Sequence, residues 1–511
     1  MKQKKVIIIG GGIAGLTAGV YARKAGYEAQ IYEKHKIVGG ECTGWDRNGY
    51  YIDNCIHWMM GTVAGTSLHN IWKETGALGD DTEILRGDHM YTSELNGESV
   101  TLWADIERTE RELIALSPED ETEIKSLMHY AKLSEKIEIP SDKPNEMMGA
   151  LDGIKMALKM KNALKLFQAY AGMDTVDLAA RFKHPLIRCM ISDFCPKDSA
   201  GSSFPMAYGN FTGRDGGVPR GGSRAMAFRM KDRFESLGGE IYTASPVVKA
   251  DFGPKQTTGW KQMVSVTLAN GQTVKGDYFI FACDPDYTFH KILSEEYIDP
   301  MLKEVYANRK DYPVYGMFQC AFGVDCEEDI LKGDIMMDTS DIVNAVNDEL
   351  KNSIMERMTV KSFGYEPDFA PKGKQIIQVM MGLSEDSYEY WNALYQDKEA
   401  YKARKEELAQ LIQKKLEERF PEYQGKMTLL DVWTPMTYKR YCNAFKGYNQ
   451  AYIITKRSRK NAYVSPEIKD VDNAWITGQW LSAPGGLPGA AIQGKYSVQR
   501  ILRKEGQSIK L

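Results

Sequence analysis

The sequence predicts an α/β protein in which a parallel-sheet domain is interleaved with an α+β domain. Three observations predict it. Residues 6–9 form a short apolar run rich in isoleucine, followed by glycines, a helical stretch and a second strand at 29–33, which makes one βαβ unit. The middle of the chain then changes character, with a mostly helical stretch over 105–190 and later strands at 312–325 and 375–384. Near the end, a strand at NAWITG runs through a Gly- and Pro-rich turn into a last helix, as though the chain returned to its first sheet.

The elements follow in order. An apolar strand without alternation, such as VIII, is buried on both faces of a parallel sheet. The helix after it runs from about Ala14 to Gly26. HMYTSEL and SVTLW, joined at Asn96-Gly97, read as a hairpin. Residues 219–250 read as a helix, a Gly238-Gly239 turn and a strand, and GQTVKGDYFIFACD as a strand pair ending at Cys283-Asp284. KEAYKARKEELAQLIQKKLEERF is an amphipathic helix stopped by Pro421. The expected division is a nucleotide domain over 1–87, 215–295 and 470–511, with a substrate domain over 88–214 and 296–469.

Bulk properties set limits. A chain of 511 residues divides into two or three domains. Its net charge of −4 gives no electrostatic case for nucleic acid, which needs a basic excess. Eight scattered cysteines form no C-x-x-C pair, so neither a metal site nor a disulfide framework is expected. Reduced thiols in a cytoplasmic protein are the expectation. The opening MKQKKVIIIGGG carries no secretory h-region, and no apolar run reaches the roughly 18 residues of a spanning helix. Peripheral membrane contact stays open.

Gly10-Gly11-Gly12-Ile13-Ala14-Gly15 fits G-x-G-x-x-G between a buried strand and a helix. Gly10 permits the turn, Gly12 lets a pyrophosphate approach the backbone, and Gly15 lets the helix pack on the strand. The helix N-terminus offers free N–H groups and a positive dipole end, through Ile13 and Ala14, to phosphate. Glu33 closes the second strand eighteen residues after Gly15, where an acid accepts hydrogen bonds from ribose hydroxyls and disfavours a 2′-phosphate. At the other end of the chain, Gly478 ends a strand and the segment Gly486, Leu487, Pro488 and Ala490 opens a helix whose N-terminus suits a group that carries negative charge.

These motifs resemble the FAD-dependent phytoene desaturase and carotenoid isomerase branch of the amine oxidase superfamily. EKHKIVGGECTGW is similar to the segment that runs under the flavin-side phosphate, with Lys34, Gly39, Gly40 and Thr43 in place; Glu41 stands where relatives carry Arg. GYYIDNCIHWMMG, PRGGSRAMAFRMKDRFESLGGEIYTASPVVKA, FACDPDYTF, TPMTYKRY and ITGQWLSAPGGLPGAAIQGKYSVQRIL resemble further blocks of that branch, in its usual order. The resemblance implies a Rossmann-type FAD domain with an interleaved substrate domain, FAD as cofactor, and adenine near the backbone of Val247.

It also implies the chemistry: hydride exchange with flavin that desaturates, saturates or isomerises carbon–carbon bonds of an apolar, lipid- or isoprenoid-like substrate. Two alternatives share the scaffold, a flavin amine oxidase and a non-catalytic prenyl or lipid carrier. No second glycine fingerprint marks a separate nicotinamide domain, so the electron partner is left open. His57, beside Trp58, is the first candidate for proton transfer, ahead of Cys55 and Tyr441. The Met-rich stretch at 146–170 reads as an amphipathic helix with a Met-filled core face; the other reading is a membrane-touching lid whose Lys155, Lys159, Lys161 and Lys165 face anionic headgroups.

Overall fold

Both ends of the chain meet in one parallel sheet. The computed structural model describes residues 3–254, 259–459 and 462–511. Strand β1 (Lys5–Ile9) leads into helix α1 (Ile13–Lys24) and strand β2 (Glu28–Tyr32). Much later come helix α2 (Gly222–Ser236), strand β3 (Glu240–Tyr242), strand β4 (Tyr278–Phe281), strand β5 (Ala474–Ile476) and helix α3 (Leu487–Lys504). The sheet order is β5-β4-β1-β2-β3, every pair parallel, with Ile7 level with both Gln30 and Phe279. Val6, Ile7 and Ile8 are fully buried, which is why the strand needs no polar face. The fold is the α/β class expected from the sequence.

Helices α1 and α3 lie against each other on one face of that sheet. Their approach is close because Gly494 of α3 has no side chain: a Cβ there would collide with the carbonyl of Ala14. On the other face an antiparallel sheet of Val247–Phe252, Met263–Leu268 and Thr273–Lys275 shares an apolar core with Ile7, Ile9 and Phe281.

The second large layer is a seven-stranded sheet. Its order is Met427–Trp433, Gly316–Val324, Gln375–Leu383, Ile354–Ser362, Ile335–Asp338, His89–Leu95 and Glu98–Trp103. Pairing is antiparallel except between Ile335–Asp338 and His89–Leu95. Side chains alternate across it. Phe318, Cys320, Phe322, Ile377 and Val379 bury against the long helix Lys398–Arg419. Ala321 and Ile376, one residue out of step, pack instead with Tyr50, Tyr51 and Ile52 beside the nucleotide domain. The outer hairpin is capped by helices including Glu121–Ser134, Pro185–Phe194 and Ser203–Thr212.

The Met-rich stretch departs from the expected core helix. It forms two helices, Ala150–Lys159 and Lys161–Ala169, that meet at Met160. The first has no buried residue at all, and the second buries only Ala163 and Leu166. Leu151, Ile154, Leu158, Leu164 and Phe167 are exposed, while the core beside them holds Leu127, Met128 and Tyr170. Among the described residues no helix is long and apolar enough to cross a membrane.

Candidate cofactor and active site

The site starts where β1 stops. Gly10 turns the chain with φ of +108°, and a Cβ there would press on the carbonyl of Ala282 at 2.9 Å. Helix α1 then begins with Gly12 as its cap, with no capping side chain and no acid in the first turn, so its leading N–H groups stay free for an anion. Gly12 faces open space, the nearest atoms to a Cβ there being 3.8 Å away at Gly39 and Gly40. Glu33, at the tip of β2, accepts hydrogen bonds from the N–H of Gly11 (2.7 Å) and of His35 (2.6 Å). Burial raises its pKa and the two amides work against that rise.

A second helix N-terminus faces the same space. Helix α3 is capped by Gly486, φ +92°, again without a capping side chain or an early acid. The Gly486 N–H donates to Gln479 Oε1 at 3.0 Å. Between the two helices lies a cavity of about 1160 Å³ including its open mouth. The Oγ1 of Thr477, in its wall, is buried without a hydrogen-bond partner among the described residues. Two further carboxylates line it. Asp284 accepts from the N–H of Phe445 (3.0 Å) and of Asp286 (2.8 Å), and burial pushes it up to about 6. Glu41 is pushed up to about 8 by burial and by the charge of Asp284, against a hydrogen bond to Gln479.

Most of the sequence-chosen residues come together here. Gly10, Gly12, Ile13 and Ala14 line the cavity on the α1 side, with Glu33 and Lys34. Gly39, Gly40 and Glu41 follow, then Val247, and on the α3 side Gly478, Gly486, Leu487 and Ala490. Cys55 and Tyr441, ranked behind His57 in the sequence, also line it.

Four chosen residues stand outside that lining. Gly15 packs beneath the loop, where a Cβ would collide with the carbonyl of Gly10. Thr43 lies behind it, its N–H bonded to the carbonyl of Glu41 at 2.9 Å and its Oγ1 buried without a partner. Pro488 occupies the first turn of α3. His57 sits in the loop after Tyr50–Asp53, with Nδ1 buried and unpartnered. Only part of its ring reaches solvent, and burial, reinforced by the Lys361 charge, pushes the imidazole down to about 3. Both effects favour the neutral imidazole.

The sequence reading missed the wall formed by Cys442, Asn443, Ala444 and Asn449. Lys34 is tied to it, donating to the Arg440 carbonyl (2.9 Å) and to Asn443 Oδ1 (2.6 Å). The TPMTYKRY block ends at the edge of this wall and was the available signal. That block also links the layers. Tyr438 donates to Asn54 Oδ1 (3.0 Å) and accepts from Gln319 Nε2 (2.6 Å) on the large sheet. Asp53 is structural: its carboxylate takes the N–H and Oγ–H of Ser223, both at 2.6 Å, and its backbone pairs with Gln378.

Two uncapped helix N-termini, a ribose-type carboxylate and an unpartnered hydroxyl around one elongated cavity fit a flavin dinucleotide. The comparison with protein families agrees: residues 13–502 match the model for flavin containing amine oxidoreductase. The chain belongs to that family. It is an FAD-dependent oxidoreductase. Curated relatives include the 4,4'-diaponeurosporene oxygenases of Staphylococcus aureus (strain bovine RF122 / ET3-1), 21% identical over 99% of this chain and 100% of theirs, and of Staphylococcus haemolyticus (strain JCSC1435), 22% identical over 98% and 97%. Among solved structures, a putrescine oxidase has a TM-score of 0.60 at 14% identity, covering 98% of this chain and 99% of its own. An oxidoreductase from Methanosarcina mazei has a TM-score of 0.55 at 16% identity, covering 97% and 100%. These structural likenesses establish the fold.

Proposed function

We propose that the protein exchanges hydride between FAD and a carbon–carbon bond of a long, apolar, isoprenoid-like polyene. The observation that carries this reading is the end-to-end likeness to relatives named for a carotenoid. The large sheet supports it. Met317 and Met380 share the face that carries Gln319 and Gln378, and Met317 Sδ lies 3.6 Å from Asn449 in the cavity wall. A deformable thioether surface suits a long apolar chain.

In this reading the amides of Gly12, Ile13 and Ala14 hold the diphosphate, Glu33 takes the ribose hydroxyls, and the backbone at Val247 borders adenine. Gly39 and Gly40 give the diphosphate close backbone approach, beside Lys34, with Thr43 packed behind them. The α3 N-terminus at Gly486, Leu487, Pro488 and Ala490, with Gly478, stabilises negative charge on the ring. When bound, the flavin supplies the two-electron hydride chemistry. The raised pKa of Glu41 favours its protonated form near pH 7, which limits negative charge beside the diphosphate. His57 remains a candidate for holding a water or substrate atom by a neutral hydrogen bond. A long polyene partitions into membranes, so peripheral contact with lipid belongs to the same reading.

The test is product analysis. Anaerobic incubation of the holoprotein with 4,4'-diaponeurosporene should yield a polyene whose mass differs by two hydrogens or whose double-bond geometry is changed. Recovery of the polyene unaltered under both oxidising and reducing conditions would defeat the proposal.

A further inference from the structure

An exposed apolar stripe sits on the helix pair at 150–169. Leu151, Ile154 and Leu158, spaced i, i+3, i+7, are 76%, 61% and 67% exposed. Leu164 and Phe167 extend the stripe onto the second helix at 50% and 42%. Isolated surface leucines need no explanation, but five large apolar side chains on two adjoining helices do. Lys155, Lys159, Lys161 and Lys165 are all exposed on the same two helices. Among the described residues only Lys159 has a carboxylate ion-pair partner, Glu138 at 3.7 Å. The single acid of the pair of helices, Asp152, is already engaged by Lys143 at 2.7 Å and by the N–H of Gly149 at 2.9 Å.

We propose that this helix pair lies flat on a lipid bilayer, its leucine stripe among the acyl chains and its lysines on anionic headgroups. An apolar stripe flanked by uncompensated lysines is the composition of an interfacial helix. A second copy of the chain fits less well, because an isologous pairing would set the four lysines of each copy against those of the other. The helices stand outside the cofactor cavity, so they are free to bind lipid whatever the enzyme's state. The proposal draws its purpose from the reading of an apolar substrate above. Vesicle binding and polyene conversion are measured separately, so failure of one does not count as failure of the other.

The experiment is co-sedimentation of the full-length, FAD-loaded protein with vesicles of phosphatidylcholine alone or mixed with phosphatidylglycerol. Binding to the mixed vesicles is expected, with about a tenfold or greater loss in partitioning for the triple variant Leu151→Ser, Ile154→Ser, Leu158→Ser. Lys155→Gln with Lys165→Gln should remove most of the preference for anionic vesicles. Retained flavin absorbance serves as the folding control, and Leu151→Ser alone, at the most exposed position, should give a smaller loss if the triple variant fails it. The proposal is overturned if the wild type sediments with neither vesicle, or if both the single and triple variants bind as the wild type does. It is also overturned if the stripe holds a dimer that the substitutions split without any effect on lipid binding.

Discussion

Glu33 and Glu41 line the same cavity from the same stretch of chain, and burial raises the pKa of both, yet their other neighbours differ. Glu33 receives two backbone N–H bonds, from Gly11 and His35, which work against the rise that burial causes. Glu41 is given burial and a neighbouring acid, Asp284, which push it up to about 8. In the proposed arrangement the first carboxylate accepts from ribose hydroxyls, and the second lies next to phosphate, where its raised pKa limits its charge. Residue type alone does not assign a role; the donors around it do.

The largest effect should come from the frame both regions share. Gly15→Ala places a Cβ on the Gly10 carbonyl and must displace the loop. FAD affinity should fall by roughly 100-fold or more, about 3 kcal/mol, read by flavin fluorescence titration; unchanged affinity would mean the loop does not seat the cofactor. Next, Glu33→Ala strands the amides of Gly11 and His35 and removes the ribose acceptor. A loss of about 1.5–3 kcal/mol, the worth of charge-assisted hydrogen bonds, is expected in the same titration.

How much of this was legible in the sequence follows the same division. The α1 region was legible because one local run, from Val6 to Glu33, contains strand, turn, helix and acid together. The Cys442–Asn449 wall was not, since it reaches the cavity through long-range pairing, of Lys34 with Arg440 and Asn443 and of Asp284 with Phe445. The large sheet was partly hidden for a similar reason: Ile354–Ser362 and Met427–Trp433 carry charged or polar residues that blur the apolar pattern, and their partners lie far away in sequence. The Met-rich stretch looked like a core helix because periodicity reports an apolar face without saying what covers it.

Glu41 gives the third test, and its sign is fixed. Its folded pKa of about 8 lies above the ordinary glutamate value of roughly 4.3. The folded protein therefore keeps a proton the unfolded chain has lost, so the stability from this group is full below roughly pH 4.3 and drains away as pH rises through about 8. FAD affinity should fall over the same upper range as charge appears beside the diphosphate. Glu41→Gln should flatten both profiles, with about a tenfold advantage in FAD affinity over wild type at high pH; parallel profiles for the two proteins would refute this role.

The smallest effect is expected at His57. With its imidazole pushed down to about 3, it should not titrate between pH 5 and 9. His57→Asn should change the rate of flavin reduction by a pH-independent factor, and a lost limb near pH 6.5, the ordinary histidine range, would show that the ring ionises in the working enzyme.

The decisive measurement is the visible flavin band of the holoprotein, followed under anaerobic conditions on rapid mixing with 4,4'-diaponeurosporene or with putrescine. For a desaturase the oxidised band should bleach with the polyene; for a saturase the pre-reduced band should recover with it; the amine should do neither. Bleaching by putrescine, with peroxide on admitting oxygen and no response to the polyene in either redox state, would contradict carbon–carbon chemistry and make the protein an amine oxidase.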